Sequence, residues 1–377
     1  MDVNQPLQLL GGLSPGIFMR RYWQKKPLLI RQAIPDFADA LERNALFALA
    51  AQEEVESRLV ISQCAGVAWK MRDGPFGRRA LPPLKRPGWT LLVQGVDLHV
   101  DKCHALLNGF RFVPDARLDD LMVSYASDGG GVGPHFDSYD VFLLQARGRR
   151  RWRIGRQKDL TLQPGVPLKI LRNFEPDQAF DLDPGDMLYL PPRYAHDGVA
   201  IGACMTYSVG FKAPGGGDLA AELLQRLAQE AQEVQEVAGD AVYRDAAQEA
   251  VEAPGAIPAA LGEFARRALE RALHDPMALH RNLGEYLTEP KARVWFDAAD
   301  PGKWTGALSL DRRTRMMYDQ HHIFINGESY RASGHDARLM RRLADARALA
   351  PSDIARASAQ VLAMLRAWCR AGWAHGD

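Results

Sequence analysis

The sequence predicts a mainly β domain in its first half, followed by an α-helical region and a mixed α and β module. Short apolar runs follow one another from about Ser14 to Ala213, separated by proline and glycine. No long helical pattern alternates with them, which favours a sandwich or barrel over a doubly wound sheet. At "APGGGD", Ala213 to Asp218, the pattern changes abruptly to apolar residues at helical spacing.

Composition excludes several classes of protein. The chain has 377 residues, 47% hydrophobic and 25% charged, with a formal net charge of +1. A large buried core is therefore expected, and any attraction to nucleic acid has to come from local patches. The four cysteines are widely spaced and form no CxxC pair; they are Cys64, Cys103, Cys204 and Cys369. This spacing indicates neither a disulfide framework nor a zinc finger, and it suits a protein of the reducing cytoplasm. We expect no export signal and no membrane span.

The β-rich part begins with one amphipathic helix at "SPGIFMRRYW". Ser14 is expected to cap this helix and Pro15 to lie in its first turn. The strands are then expected at "KPLLIRQA", "RLVISQ", "WTLLVQGV", "LMVSYAS", "DVFLLQ", "RRWRIG", "DMLYLPP" and "MTYSVGFKAP".

The helical region carries an apolar stripe that needs a partner. Leu219, Leu223 and Leu227 repeat at four-residue spacing behind Asp218, the expected cap, and a second helix is expected from about Pro258. A helical hairpin or small bundle of this kind has to bury its stripe, and a second subunit is one place to do so.

The last part, from about Lys291, mixes a strand pair with helices. Asn326 and Gly327 lie between two alternating runs, and this dipeptide strongly favours a hairpin turn because it accepts positive φ at both positions. A closing helix is expected in "APSDIARASAQVLAMLRAWCRAGW", with Ser352 as its cap. The order is the outline of a winged-helix module.

One stretch, "GPHFDSYDVFLLQARGRRRWRIG", carries the residues of a candidate metal site. His135 and Asp137 project on the same face if the segment is extended, and a glycine-rich approach precedes them. A third ligand is expected on a neighbouring strand, and His196 in "DPGDMLYLPPRYAHDG" is the best candidate. Two histidines and one carboxylate, with open positions, suit non-haem Fe(II).

The basic run that follows can serve a co-substrate. A 2-oxo acid that chelates iron leaves a site for O₂ and needs a cation for its far carboxylate. Strand alternation sends Arg150 and Trp152 to one face, so Arg150 can supply that cation. The outward arginines, Arg149, Arg151 and Arg153, are expected to form a solvated or nucleic-acid-facing surface.

Each of these features alone also has an ordinary structural explanation. His135 and Asp137 could serve a turn at a strand end, and His196 could be a surface histidine. The same ligands could hold Zn²⁺ for hydrolysis, although Arg150 would then have no purpose. A non-catalytic protein that binds ribosomes or nucleic acid is another alternative. We expect the remaining histidines not to bind a metal; they are His99, His104, His274, His280, His321, His322, His335 and His375. His321 and His322 are adjacent in a strand, so only one of the two can face inward.

Taken together, the motifs resemble a known family. "GGGVGPHFDSYDVFLLQARGRRRWRIG", "LDPGDMLYLPPRYAHDG", "MTYSVGFKAP" and the early "FMRRYWQKKPLLIR" look like those of the bacterial JmjC-type ribosomal oxygenases. The resemblance implies a double-stranded β-helix of the JmjC and cupin kind, with His135, Asp137 and His196 as iron ligands. It also implies Arg150 as the 2-oxoglutarate anchor and Ser124 as a further contact to that co-substrate.

The family also implies an activity and an organisation. We expect a 2-oxoglutarate- and Fe(II)-dependent dioxygenase that uses O₂ to hydroxylate the β-carbon of an arginine in a large-subunit ribosomal protein, or a histidine as in eukaryotic relatives. Asp128 is our candidate for meeting the arginine guanidinium. The expected divisions are a catalytic domain over 1–214, a helical dimerisation region over 215–290 and a winged-helix-like domain over 291–377. A cytoplasmic homodimer is expected, without direct nucleic-acid binding or a membrane association.

Overall fold

The computed structural model describes residues 2–62, 69–238, 242–246, 249–250, 255–273, 276–298, 306–331 and 333–376. Contacts divide the chain into two compact units, Met1–Ala213 and Pro214–Asp377. The predicted helical region and the C-terminal module thus fall in the same unit. Cys64, Pro254 and His274 lie outside the described residues. Within the described part of the chain, no helix combines the length and apolar character needed to cross a bilayer.

The first unit is mainly β, as predicted. Its helices are α1 (Pro15–Arg21), α2 (Arg43–Leu49) and α3 (Asp101–Asn108). Its strands are β1 (Leu28–Ile30), β2 (Ser57–Ile61), β3 (Lys70–Asp73), β4 (Trp89–Val93), β5 (Leu118–Ala126), β6 (Asp140–Gly155), β7 (Gln178–Leu182), β8 (Met187–Leu190) and β9 (Ala195–Phe211). The described strands pair in the order β1, β8, β6, β9, β5, β4, β2, β3, with β7 added to β6.

The two longest strands fold the sheet back on itself. The first half of β6 pairs with β8 and its second half with β7, while β9 follows β6 along its whole length. The register between them shifts around Arg147, where Gly148 has φ +63° and Gly202 has φ +70°. Glycine accepts these angles without strain, so both strands turn the same corner. The result is a double-stranded β-helix with two facing sheets.

Two apolar clusters show which side of the sheets is inside. Val141, Leu143, Trp152, Ile154 and the other members of one cluster join both halves of β6 with β7 and β8. This cluster fills the space between the facing sheets. A larger cluster lies on the outer face, where Phe18 of α1 and Leu46 of α2 pack against strand residues such as Tyr189. The alternation along each strand therefore separates an inner face from a helix-covered outer face.

The second unit combines helices with two small sheets. Its helices are α4 (Gly216–Ala238), α5 (Ala259–Ala272), α6 (Pro276–Thr288), α7 (Gly334–Ala346), α8 (Pro351–Ile354) and α9 (Ala359–Arg370). Its strands are β10 (Leu308–Leu310), β11 (Met316–Tyr318), β12 (His322–Ile325), β13 (Glu328–Arg331), β14 (Ala348–Leu349) and β15 (Ala374–Gly376). The described strands pair as β14, β10, β15 and as β11, β12, β13.

Local predictions in the second unit are partly confirmed. Asn326 and Gly327, with φ of 48° and 88°, turn the predicted hairpin between β12 and β13. Of the histidine pair, His322 is buried and His321 is exposed. Asp218 lies inside the first turn of α4 and does not precede the helix.

Two serines were expected to cap helices, and one of them does. Ser14 accepts a hydrogen bond from the Ile17 amide at 3.3 Å, as predicted for α1. The expectation for Ser352 is wrong, because "APSDIARASAQVLAMLRAWCRAGW" contains two helices. Ser352 lies inside the short α8, and Ser358 caps the closing helix α9 by accepting from the Val361 amide at 3.2 Å.

Candidate metal centre

His135, Asp137 and His196 converge at one end of the double-stranded β-helix. The segment that carries His135 runs beside β9. The His135 amide donates to the His196 carbonyl at 3.0 Å, and the His196 amide donates to the His135 carbonyl at 2.8 Å. The Asp137 carbonyl accepts from the Arg193 amide at 2.7 Å. One ligand atom from each of the three side chains lies within 4.8 Å of the others. Backbone pairing thus holds the three groups in place before any ligand binds.

Hydrogen bonds fix the orientation of both imidazoles. Nδ1 of His135 lies 2.9 Å from the Gly133 carbonyl, and Nδ1 of His196 lies 3.0 Å from the Tyr194 carbonyl. A carbonyl only accepts, so both Nδ1 atoms are assigned as protonated and both Nε2 lone pairs remain for a metal. Burial and the neighbouring His135 lower the pKa of His196 to about 4, despite the opposing charge of Asp137. His196 is therefore neutral at physiological pH, as a metal ligand has to be.

The glycine-rich approach to His135 is required by close backbone contacts. A Cβ at Gly130 would lie 2.5 Å from the Trp89 carbonyl oxygen, and one at Gly131 would lie 2.6 Å from that of Gly198. The Ala200 amide donates to the Gly130 carbonyl at 2.9 Å, so this segment forms a further strand-like partner of β9. The sequence signal "DGGGVGP" therefore marks backbone packing that positions the first ligand.

Arg150 lies on the inner face, as its place in the strand predicts. Arg150 pairs with Ala200 in register, and Ile154 pairs with His196, so Arg150 shares its face with the metal centre. Its Cζ lies 5.6 Å from the centre of the Trp152 ring, which in turn lies 5.8 Å from the His196 ring. The arginine is only 5% exposed, and its Nε and Nη2 atoms have no hydrogen-bond partner among the described residues. A buried guanidinium of this kind fits a carboxylate ligand.

Ser124 lies on the inner side of the facing sheet. It pairs with Thr206 of β9, and its Oγ donates to the Thr206 carbonyl at 3.3 Å. Ala126 follows Ser124 by two residues on β5 and therefore lies on the same face. It packs against Ala200 of β9, which is the residue opposite Arg150 in the pairing of β6 with β9. Thr90 on the adjacent β4 is also buried, with an Oγ1 that has no partner in the described part of the chain. The interior near Arg150 is thus lined by small polar groups.

The outward arginines are neither free nor simply solvated. Their partners are three aspartates of neighbouring strands or turns, at 2.5 to 2.7 Å: Arg149 with Asp183, Arg151 with Asp181 and Arg153 with Asp197. The three side chains are about half exposed, so the predicted outward face is confirmed, and each guanidinium on it is paired with a carboxylate.

Asp128 does not lie with the three ligands. It is exposed, and its Oδ1 accepts from the Gly202 amide at 2.8 Å. Gly202 lies at the corner where β9 bends. It is six residues along the strand from His196, and six residues of extended chain span about 20 Å. The carboxylate of Asp128 is therefore engaged at the bend of β9, away from the metal centre.

An acidic cluster at the open end was missed by the sequence analysis. Tyr139 follows Asp137 by two residues, and partial desolvation together with the charges of Asp137, Asp120 and Asp119 raises the pKa of Tyr139. A Cβ at Gly210 would lie 3.7 Å from Asp120 Oδ1 and 3.9 Å from the Tyr139 ring, so these two side chains flank the same glycine. The adjacent acids in "LDDLMV" were the sequence feature that could have indicated this cluster. Their distance from Tyr139 depends on strand pairing, which the sequence does not show.

The fold and the two histidines and one aspartate define the class of the JmjC and cupin domains. The JmjC domain family matches residues 105–219, and the ROXA-like winged helix family matches residues 271–375. The chain is 42% identical over 200 residues to the ribosomal protein uL16 3-hydroxylase of Escherichia coli, an alignment that covers 52% of each chain. The chain thus spans about half the length of the curated relatives it matches.

Solved structures extend the likeness over nearly the whole chain. The X-ray structure of ycfD from Escherichia coli superposes with a TM-score of 0.82 at 30% identity, covering 96% of this chain and 98% of that one. The structure of the ribosomal oxygenase YcfD in complex with cobalt and 2-oxoglutarate matches with a TM-score of 0.77, also at 30% identity, and covers 96% of this chain and 98% of that one. The chain therefore belongs to the family of bacterial JmjC-type ribosomal oxygenases.

Proposed function

We propose that this protein is a 2-oxoglutarate- and Fe(II)-dependent dioxygenase that hydroxylates an arginine of a large-subunit ribosomal protein. The observation that carries the proposal is the pairing of His135, Asp137 and His196 with a buried, unpartnered Arg150 on the same inner face. The relative named as a uL16 3-hydroxylase and the YcfD complex with cobalt and 2-oxoglutarate support it.

The donor set fits iron. Two imidazoles and one carboxylate on a single side leave positions open, the arrangement that non-haem Fe(II) oxygenases use. The same donors also accept Zn²⁺, but hydrolysis by zinc gives no role to Arg150. A carboxylate bound to Arg150 would satisfy a buried cation, which is costly to leave alone. This argument favours an oxygenase over a hydrolase or a barrel without chemistry.

The protein's own residues bind and orient. When bound, the iron supplies the oxidative decarboxylation of 2-oxoglutarate by O₂ and the transfer of one oxygen atom to a substrate C–H bond. Arg150 holds the far carboxylate of 2-oxoglutarate through its fixed fork, with Ser124 and Thr90 as small polar groups near the same end. Trp152 fills the space between Arg150 and His196 and excludes water from it. Holding the reactants in register is the chain's contribution to rate.

The acidic cluster at the open end suits an arginine substrate. Asp120 and Tyr139 lie on either side of Gly210, and Asp120 Oδ2 already accepts from the Gly95 amide at 2.9 Å, which holds the carboxylate in place. Asp119 Oδ1 lies 3.9 Å from the Lys212 ammonium. A guanidinium that enters there meets carboxylates and an aromatic ring, both of which bind arginine. Asp128 is engaged at the bend of β9, so we assign the guanidinium contact to Asp120 and Tyr139 in its place.

A direct assay tests the activity. Full-length protein with Fe(II), 2-oxoglutarate and peptides from large-subunit ribosomal proteins is expected to form succinate, and one peptide should gain the mass of one oxygen atom on an arginine. His135→Ala is the matched control and should form neither product. Hydroxylation of a histidine peptide in place of an arginine peptide would show that the substrate residue is histidine. No turnover of either peptide class by the wild type would reject the proposal that the protein is an oxygenase.

We further propose that the protein works as a homodimer in the cytoplasm, where ribosomal proteins are made. The second unit supports the dimer. None of the described side chains of α5 whose exposure is defined is buried, and Leu261, Leu269 and Leu273 all expose apolar surface. Leu224 of α4 is 56% exposed as well. Isolated helices of this length are marginal in water, so the stripe on α5 is expected to pack against a second copy.

A further inference from the structure

The surface between Trp69 and Gly88 carries a concentration of positive charge. This stretch of the first unit holds six lysines and arginines and one aspartate, whereas the whole chain has a net charge of +1. All six basic side chains are exposed: Lys70, Arg72, Arg78, Arg79, Lys85 and Arg86. The near-neutral total, which argued against nucleic-acid binding, therefore hides a local basic patch.

Within the part of the chain that the structure describes, no acid neutralises these charges. Among the described residues, none of the six forms an ion pair, in contrast to Arg149, Arg151 and Arg153. The one acid in the stretch, Asp73, lies 3.6 Å from Arg58 on the neighbouring strand. Arg72 is held by the Phe76 ring, at 5.4 Å, and by the Ala80 carbonyl, neither of which cancels its charge.

Part of this patch forms a groove along β3, the last strand of the described sheet. Its cavity of about 510 Å³ is lined on the basic side by Lys70, Arg72 and Arg86. The other lining residues are apolar, namely Leu59, Ile61, Met71 and Pro167. Grooves that bind single-stranded nucleic acid combine cations that follow the phosphates with side chains, mostly aromatic, on which the bases lie. Here three cations line the cavity together with four apolar residues, so phosphates would meet the cations and bases the apolar surface.

The groove adjoins the segment that carries the first metal ligand. Trp69, next to Lys70, and Ile170, three residues after Pro167, both pack on Gly133: a Cβ there would lie 3.2 Å and 3.0 Å from them. The Leu171 amide also donates to the Pro134 carbonyl at 2.8 Å. A ligand in the groove would therefore lie beside the entrance to the metal centre.

We propose that this groove binds single-stranded RNA beside the metal centre. RNA is favoured over an acidic peptide because the cations are spread along a groove with an apolar floor, which suits a chain of phosphates and bases. The identification of ribosomal RNA as the source rests on the proposed function: a ribosomal protein that carries an RNA segment would present both partners together. RNA binding itself does not depend on turnover.

The test measures binding of a fluorescein-labelled oligouridine of about 12 nucleotides, within the site sizes of such grooves. Lys70→Gln with Arg86→Gln removes two cations from the groove, and both side chains are exposed and lack ion pairs. We expect roughly tenfold weaker binding and a salt slope smaller by about 1.4, the value for two phosphate contacts on a single strand. The matched control is Arg20→Gln with Arg21→Gln on α1, which should change neither quantity.

Several results would overturn the proposal. These are no binding by the wild type, an equal loss in the α1 control, tighter binding of oligothymidine than of oligouridine, or equal competition by poly-L-glutamate at the same charge concentration. Hydroxylation of a short ribosomal peptide should remain unchanged in the groove variant, which shows that the variant is folded. Failure of RNA binding with intact hydroxylation would reject the groove alone, and absence of hydroxylation in the wild type would reject the proposed function alone.

Discussion

The buried guanidinium of Arg150 is the residue on which the 2-oxoglutarate site depends. Two of its nitrogen atoms have no partner in the described part of the chain, and the side chain is 5% exposed. An unpaired buried charge costs several kcal/mol of folding free energy. A carboxylate that pairs with Arg150 removes this cost, and the difference contributes to the binding free energy of 2-oxoglutarate. The planar fork bonds a carboxylate through two parallel N–H donors, which a lysine cannot reproduce.

Arg150→Lys is therefore expected to raise the KM for 2-oxoglutarate about 10- to 100-fold, the range for losing one charge-assisted hydrogen bond. Steady-state succinate formation at varied 2-oxoglutarate measures this change. Arg151→Lys is the matched control, because Arg151 points outward and pairs with Asp181 at 2.7 Å. An unchanged KM in Arg150→Lys, or an equal rise in Arg151→Lys, would contradict the assignment of Arg150.

At the same scale, the sequence could predict residues whose positions follow from local periodicity. Alternation placed His135 with Asp137 on one face and Arg150 with Trp152 on one face, and the resemblance supplied the inward direction. His196 was selected by the turn and prolines before it. Asp128 was misplaced because it is near His135 in sequence, whereas the intervening segment runs the full length of the inner sheet beside β9. Asp120 and Tyr139 were missed because they meet only through the pairing of separate strands.

At the scale of elements, helix ends distinguish what composition can and cannot predict. The closing segment has two serines at plausible cap positions, and a single long helix was expected from the first of them. The chain instead interrupts the helix, and Ser358 accepts from the Val361 amide at 3.2 Å. Trp368 and Leu365 of α9 are buried in the core of the second unit, so their required positions select the later start.

We expect Ser358→Ala to destabilise the second unit by about 1 kcal/mol, the usual cost of a lost N-cap. Ser352→Ala is the matched control and should leave the stability unchanged, because Ser352 is exposed and does not cap a helix. Calorimetric unfolding of the full chain measures both variants. An equal effect of the two substitutions would mean that the side chain of Ser358 contributes nothing as a cap.

Strand pairing accounts for the other difference at this scale. Alternation in "GRRRWR" correctly sends three arginines outward, but their ion pairs with Asp181, Asp183 and Asp197 require the register of β6 with β7 and β9 and the turn after β7. Sequence alone contains both charges and cannot align them. The basic stretch from Trp69 to Gly88 shows the converse, since no acid of the described residues lies within ion-pair distance of its six cations.

At the scale of the whole molecule, the described part of the second unit leaves leucines exposed on one helix. Leu269 of α5 and Leu273, the residue that follows the helix as its C-cap, are 61% and 49% exposed and are one helical turn apart. Leucines cluster on exposed faces mainly where another protein covers them. The sequence predicted that the helical region carries an apolar stripe that needs a partner. In the described part of the chain, Leu227 of α4 is buried whereas the leucines of α5 stay exposed.

Leu269→Glu is expected to convert the dimer to a monomer, because a charge in the centre of an apolar interface loses its hydration without gaining a partner. Sedimentation equilibrium of the full chain measures the mass, which should fall from twice 41.9 kDa to that of one chain. The matched control is Leu279→Glu, which places the same charge at a leucine of α6 that is 48% exposed, and it should remain dimeric. A wild type that sediments as one chain at every concentration, or a Leu269→Glu variant that keeps the double mass, would reject the α5 interface.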